Sequence, residues 1–108
     1  MIQLSKIPHS KLKIIEKAII YFMENIKHDK MMEIEKAYES MATELYDKYT
    51  FPKTSKRYPS KTTTLKLPYH LASVLKFAIG NWMIGPQIND YEKAIIEQYY
   101  FEIDKQLI

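Results

Sequence analysis

The stretch KLPYHLASVLKFAI, Lys66–Ile79, changes period at its proline. Ahead of it, TTTLKL (Thr62–Leu67) has three β-branched threonines and alternating leucines, the pattern of a short strand. Behind it, Leu71, Val74, Leu75, Ala78, Ile79 and Trp82 recur at steps of three and four, the spacing of one helix face. Proline suits the first helical turn, where its missing amide would have no partner anyway. The stretch therefore predicts a strand feeding a helix over Pro68–Trp82. Gly80 falls near the end of that helix, and Gly85-Pro86 stops it.

A similar passage occurs sixty residues earlier. KIPHSKLKIIEKAI, Lys6–Ile19, shares Lys, Pro, Ala and Ile with Lys66–Ile79 at four aligned positions. Ile7/Leu67, Ile14/Val74 and Ile15/Leu75 are similar. IQLSKI (Ile2–Ile7) is the one other strand candidate, so it is the expected partner of Thr62–Leu67. The following helix is read over Ser10–Lys27, with Leu12, Ile15, Ile19, Phe22 and Ile26 on its stripe and Ser10 as its N-cap.

The polar run IKHDK, Ile26–Lys30, separates a second helix over Lys30–Tyr49, with Met31, Ile34, Tyr38, Met41 and Leu45 facing inward. Pro52 sets its latest end, because the residue before a proline avoids helical angles. Phe51–Lys61, with prolines at 52 and 59, reads as a loop. Asn89 followed by Glu92 has the spacing of a capping box and opens a last helix running to about Gln106. Its stripe is Tyr91, Ala94, Ile95, Tyr99 and Ile103. EKA at Glu35–Ala37 recurs at Glu92–Ala94, an offset of fifty-seven.

These elements predict an all-α domain: a small four-helix bundle of two helical hairpins, with a minimal two-stranded β-ribbon. A single domain spans 1–108, with an internal duplication of 1–49 in 61–108 and a basic loop at 50–61 between them. At 108 residues and 46% apolar composition the chain can bury its own core. It has no cysteine, which excludes disulfides, thiolate nucleophiles and cysteine-based zinc sites. No run approaches the ~20 apolar residues of a membrane span, and lysines interrupt the N-terminal segment where a signal peptide would be apolar. The expected location is the cytoplasm.

The net charge of +3 conceals segregation. From Lys48 to Asn89 there is no acid, while Lys48, Lys53, Lys56, Arg57, Lys61, Lys66 and Lys76 are basic; residues 90–108 carry two lysines and five acids. Such asymmetry points to an anionic partner, or to attraction between the chain's own segments. The three histidines (His9, His28 and His70) lie at no metal-binding spacing. Glu35 and Glu39 share a helix face, yet on an amphipathic helix they read as solvated surface. No catalytic residue, metal or cofactor is expected.

Two surfaces remain as candidates. Lys53, Lys56, Arg57, Tyr58, Lys61 and Lys66 set basic groups among aromatic rings, a composition that fits an acidic protein or nucleic-acid phosphates and bases. Trp82, Tyr91, Tyr99, Tyr100 and Phe101 supply aromatics suited to a protein interface. Three consecutive aromatics span most of a helix circumference, so they cannot all face one small core. The expected function is a non-catalytic, adaptor- or inhibitor-like interaction protein with a protein partner, forming a homodimer. The alternative is a nucleic-acid binder using the basic segment 48–76.

Overall fold

The structure, a computed structural model, describes residues 1–28, 33–55, 62–85 and 88–108, with side chains of 26–35 left aside. It is mostly helical with one two-stranded antiparallel sheet. Strand β1 (Ile2–Pro8) leads into α1 (His9–His28), then α2 (Glu33–Leu45) and the single turn α3 (Phe51–Thr54). Strand β2 (Thr62–Leu67) leads into α4 (Tyr69–Met83), then α5 (Asp90–Leu107). The expected break between the first two helices lies outside the described residues.

Each strand turns into its helix at a proline. Pro68 holds φ −56° and ψ 152° as the N-cap of α4, so the missing amide falls where no helical bond is lost. α1 starts at His9, directly after Pro8, and Ser10 therefore lies inside the first turn instead of capping it.

The strands pair as read, with Ile2 opposite Leu67, Gln3 opposite Lys66 and Leu4 opposite Leu65. The register then slips so that Ile7 faces Thr63 and Pro8 faces Thr62. Two residues of β1, Ser5 and Lys6, thus stand against Thr64, a β-bulge. Lys6 absorbs the extra residue at φ 52°, in the left-handed region, and its N–H donates to Thr64 Oγ1 at 3.2 Å. Ile2, Leu4, Ile7, Leu65 and Leu67 are buried under the sheet.

The two edges of the sheet are treated differently. The Gln106 carboxamide of α5 accepts from the Gln3 N–H at 2.9 Å and donates to the Gln3 carbonyl at 2.8 Å. Gln3 therefore turns its backbone groups away from β2, and Gln3 and Lys66 form a non-hydrogen-bonded pair. Alternation then points the N–H and C=O of Lys66, Thr64 and Thr62 away from β1, onto the outer edge of β2.

The core gathers Leu12, Ile15 and Ile19 of α1, Leu71, Leu75 and Ile79 of α4, and Ile96 and Ile103 of α5, all fully buried, under the strand residues. Each such side chain contributes roughly 1.5–3 kcal/mol on leaving water. Phe22, Ala42, Val74 and Ala78 form an adjoining cluster between α1, α2 and α4. Between 12–23 and 72–83 the sequence of buried, half-buried and exposed positions is the same at every step of sixty. For α2 and α5, the offset of fifty-seven brings buried Ala42 over buried Tyr99, but half-buried Tyr38 and Glu39 over buried Ile95 and Ile96 and buried Leu45 over exposed Glu102.

Pro52 does not end the second helical run. A π-helical turn over Tyr46–Thr50 precedes α3, and Phe51 keeps φ −56° and ψ −45° directly before the proline. An α-helical ring would press Pro52 against the carbonyl four residues back, that of Lys48. The wider π turn relieves that clash, and the Phe51 N–H bonds to Tyr46 O across it. Thr50, fully buried, donates its hydroxyl to the same Tyr46 carbonyl at 3.3 Å. Residues 51–54 are therefore helix, where the two prolines had suggested loop.

Candidate functional site

Aromatic and charged side chains gather in and beside the groove between α4 and α5. Phe77 lies off the apolar stripe of α4 and is half-exposed. Its ring stacks on Tyr38 of α2, with centroids 5.6 Å apart and 16° between planes, and meets Phe22 edge-on at 5.5 Å. On its other side Phe77 lines a groove with Lys76, Gly80, Tyr100 and Leu107. Gly80 lines this groove, where a Cβ would lie 3.5 Å from Tyr100 Cε2, in ordinary contact. Phe101, exposed, packs edge-on against Tyr100 at 5.7 Å. An aromatic strip of Tyr38, Phe77 and Tyr100 thus crosses three helices.

One ion pair borders the strip. Lys76 Nζ donates to Asp104 Oδ1 at 2.5 Å and sits 5.4 Å from the centre of the Tyr100 ring. The hydrogen bond to Asp104 raises the Lys76 pKa above its ordinary 10.5, against desolvation, which lowers it; the charges of Asp104 and Tyr100 add to the rise. The arrangement offers ring faces, a cation fixed in place and a concave apolar floor. Those are the means of contact recognition by desolvation and stacking. Among the described residues, no three His, Cys, Asp or Glu side chains come together in a way that could hold a metal ion.

The expected interface residues divide. Trp82 and Tyr99 belong to the core, at 5% and 6% exposure, and are not available to a partner. Burial also pushes the Tyr99 hydroxyl above its ordinary pKa of 10.0. Tyr91 and Phe101 are exposed and Tyr100 is half-buried. Ile95, Tyr99 and Ile103 face inward as expected, but Glu92 and Ile96 join them in place of Tyr91 and Ala94, which face out.

Of the basic set, Lys53 at the end of α3 and Lys66 on the outer face of β2 are exposed. Lys56, Arg57, Tyr58 and Lys61 lie outside the described residues. Sequence reading missed Phe77 and treated Tyr38 as simple core. The available signal was a large aromatic lying off the stripe of an otherwise regular helix.

Glu92 has a role that its spacing did not disclose. Asn89 Oδ1 accepts from the Glu92 N–H at 2.7 Å, the first half of the capping box. The reciprocal carboxylate turns elsewhere. Glu92, buried, accepts from Lys17 Nζ of α1 at 2.9 Å. One residue thereby starts α5 and ties it to α1.

Comparison with family models, curated proteins and solved structures gives no match to the chain. No described helix is long and apolar enough to cross a membrane.

Proposed function

We propose that the chain is a non-catalytic interaction protein: a small four-helix bundle, built of two related strand–helix–helix halves, that docks on a protein partner through the strip of Tyr38, Phe77 and Tyr100. The observation that carries this reading is Phe77, half-exposed beside a groove that Tyr100 also lines. Leaving such rings in water has no benefit for folding, whereas aromatic anchors in a shallow groove are the residues that dominate interface energies. The self-complementary occupant is a second copy, giving a homodimer. Sedimentation velocity at high micromolar concentration and affinity capture from the native extract, each run on wild type and on a Phe77→Lys/Tyr100→Ser variant, test it together. Wild type should dimerise or retain a partner that the folded variant loses. A monomer whose captured proteins are unchanged by the variant sinks the proposal.

The acid-free interval favours a second reading, nucleic-acid binding through the basic segment 48–76. Titration of labelled single- and double-stranded oligonucleotides at two salt concentrations tests it. Replacing Lys56, Arg57 and Lys61 should weaken binding and flatten the salt slope, which runs at about −0.9 per neutralised phosphate in duplex DNA. Absence of binding at low salt removes this reading.

A further inference from the structure

The two edges of the sheet present an asymmetry that the aromatic strip does not use. An unpaired edge is a template for another strand; proteins blunt such edges with short strands and charged side chains, and more strongly with three further devices, proline, bulges and covering groups. β1 carries all three: Pro8 without an amide, the bulge at Ser5 and Lys6, and the Gln106 carboxamide over Gln3. Among the described residues β2 carries none of those three, and its one charged residue is Lys66. Its outer edge holds the N–H and C=O groups of Thr62, Thr64 and Lys66, and among the described residues no hydrogen bond reaches those groups. Three threonines in a row also favour extended backbone over any competing conformation.

We infer that the outer edge of β2 receives an extended acidic peptide segment as a third, antiparallel strand, a mode of binding distinct from docking on the aromatic strip. Backbone bonds to Thr62, Thr64 and Lys66 would supply affinity, and alternate side chains would supply selectivity. Charge decides the class of occupant. Lys66 is exposed on the outer face, and in the sequence no acid lies between Lys48 and Asn89. A carboxylate directly opposite Lys66 makes a favourable cross-strand pair, while a lysine there is repelled. On the inner face, the incoming strand continues the row of half-buried Thr63 and buried Leu65, which calls for β-branched apolar residues. The ligand is thus a short segment alternating acidic or threonine residues with valine or isoleucine. The acidic C-terminal stretch of a second copy is not that segment, because residues 90–107 are helical.

The test uses the full chain and an end-capped probe peptide, Glu-Val-Thr-Val-Glu-Val-Thr, beside the same peptide with lysine at both glutamates. Fluorescence anisotropy at two salt concentrations and amide hydrogen exchange are the readouts. The acidic probe should bind saturably, bind less well at higher salt, and slow exchange at Thr64 and Lys66. The lysine probe should not. Lys66→Glu, at an exposed position, should weaken the acidic probe roughly fivefold or more. Thr64→Pro removes an outward amide and should abolish binding while leaving β1 pairing in place; if it does not fold, Lys66→Glu alone decides. Phe77→Lys should bind the probe normally, which separates this site from the aromatic strip. The inference is overturned if neither probe binds, if both bind equally, or if protection maps away from β2. It is equally overturned if Thr64 and Lys66 are already protected in the free protein by a dimer or if they respond to an oligonucleotide in place of the acidic peptide.

Discussion

Residues 6–23 and 66–83 present the same outline, yet use it for different ends. Ile19 and Ile79, like Ala18 and Ala78, are fully buried at matched positions, and Phe22 and Trp82 are matched buried aromatics. On the faces that turn outward the chemistry diverges. Lys17 of α1 reaches across to Glu92 of α5, whereas its counterpart Phe77 of α4 reaches across to Tyr38 of α2. Glu16 accepts from Thr54 Oγ1 of α3 at 2.6 Å, whereas its counterpart Lys76 pairs with Asp104 of α5. At the first matched pair the contact is an ion pair from α1 to α5 and an aromatic stack from α4 to α2; at the second it is a hydrogen bond to α3 and an ion pair to α5. Packing fixes the inner positions, and the outer ones are free to carry a surface.

The sharpest way to break the comparison is through the shared core. Ile19→Ala and Ile79→Ala each remove a fully buried side chain, and each should cost about 3 kcal/mol, within the range for such truncations. Urea unfolding measures both. A cost more than twofold larger on one side means that the halves do not bear equal parts of the core.

A smaller effect probes the unequal edges. Gln106→Ala strips two hydrogen bonds from Gln3 and should cost about 1 kcal/mol, with faster exchange at the Gln3 amide. An unchanged Gln3 exchange rate would show that the carboxamide does not guard that edge.

The smallest effect is alkaline. Tyr99 and Lys76 both have pKa values raised by folding, above 10.0 and 10.5 respectively. A raised folded-state pKa gives stability that is complete below the unfolded value and is lost as pH climbs through the folded one. The thermal midpoint should therefore hold steady up to about pH 9 and decline above pH 10. Tyr99→Phe should reduce the decline, and an identical decline in that variant would remove Tyr99 as a cause.

Much of the fold was legible because it rests on local rules. The change of period at Pro68, the repeat of that passage around Pro8 and the Asn89 cap each depend on residues close in sequence. The pairing of Ile2–Ile7 with Thr62–Leu67 followed by elimination, since only two strand candidates existed. What escaped depends on partners far away. A residue such as Pro52 stops an ideal α-helix, but the π turn before it is an adjustment that no single residue announces. On α5 Glu92 and Ile96 take the inner-face places expected for Tyr91 and Ala94, and the buried carboxylate of Glu92 meets Lys17 of α1. Trp82 and Tyr99 look like interface residues in isolation and are core because two helices cover them. Phe77, by contrast, was overlooked because its regular neighbours explained the helix without it.

The buried Glu92 carries a consequence for how the chain comes apart. Without α1, the carboxylate at the start of α5 would lose Lys17, its ion-pair partner. The second half on its own therefore begins its last helix at a disadvantage, although its strand and α4 are complete. Cutting the backbone between residues 55 and 62 should give two fragments that are poorly ordered apart and reassemble when mixed, with the Lys17–Glu92 contact re-formed across the join.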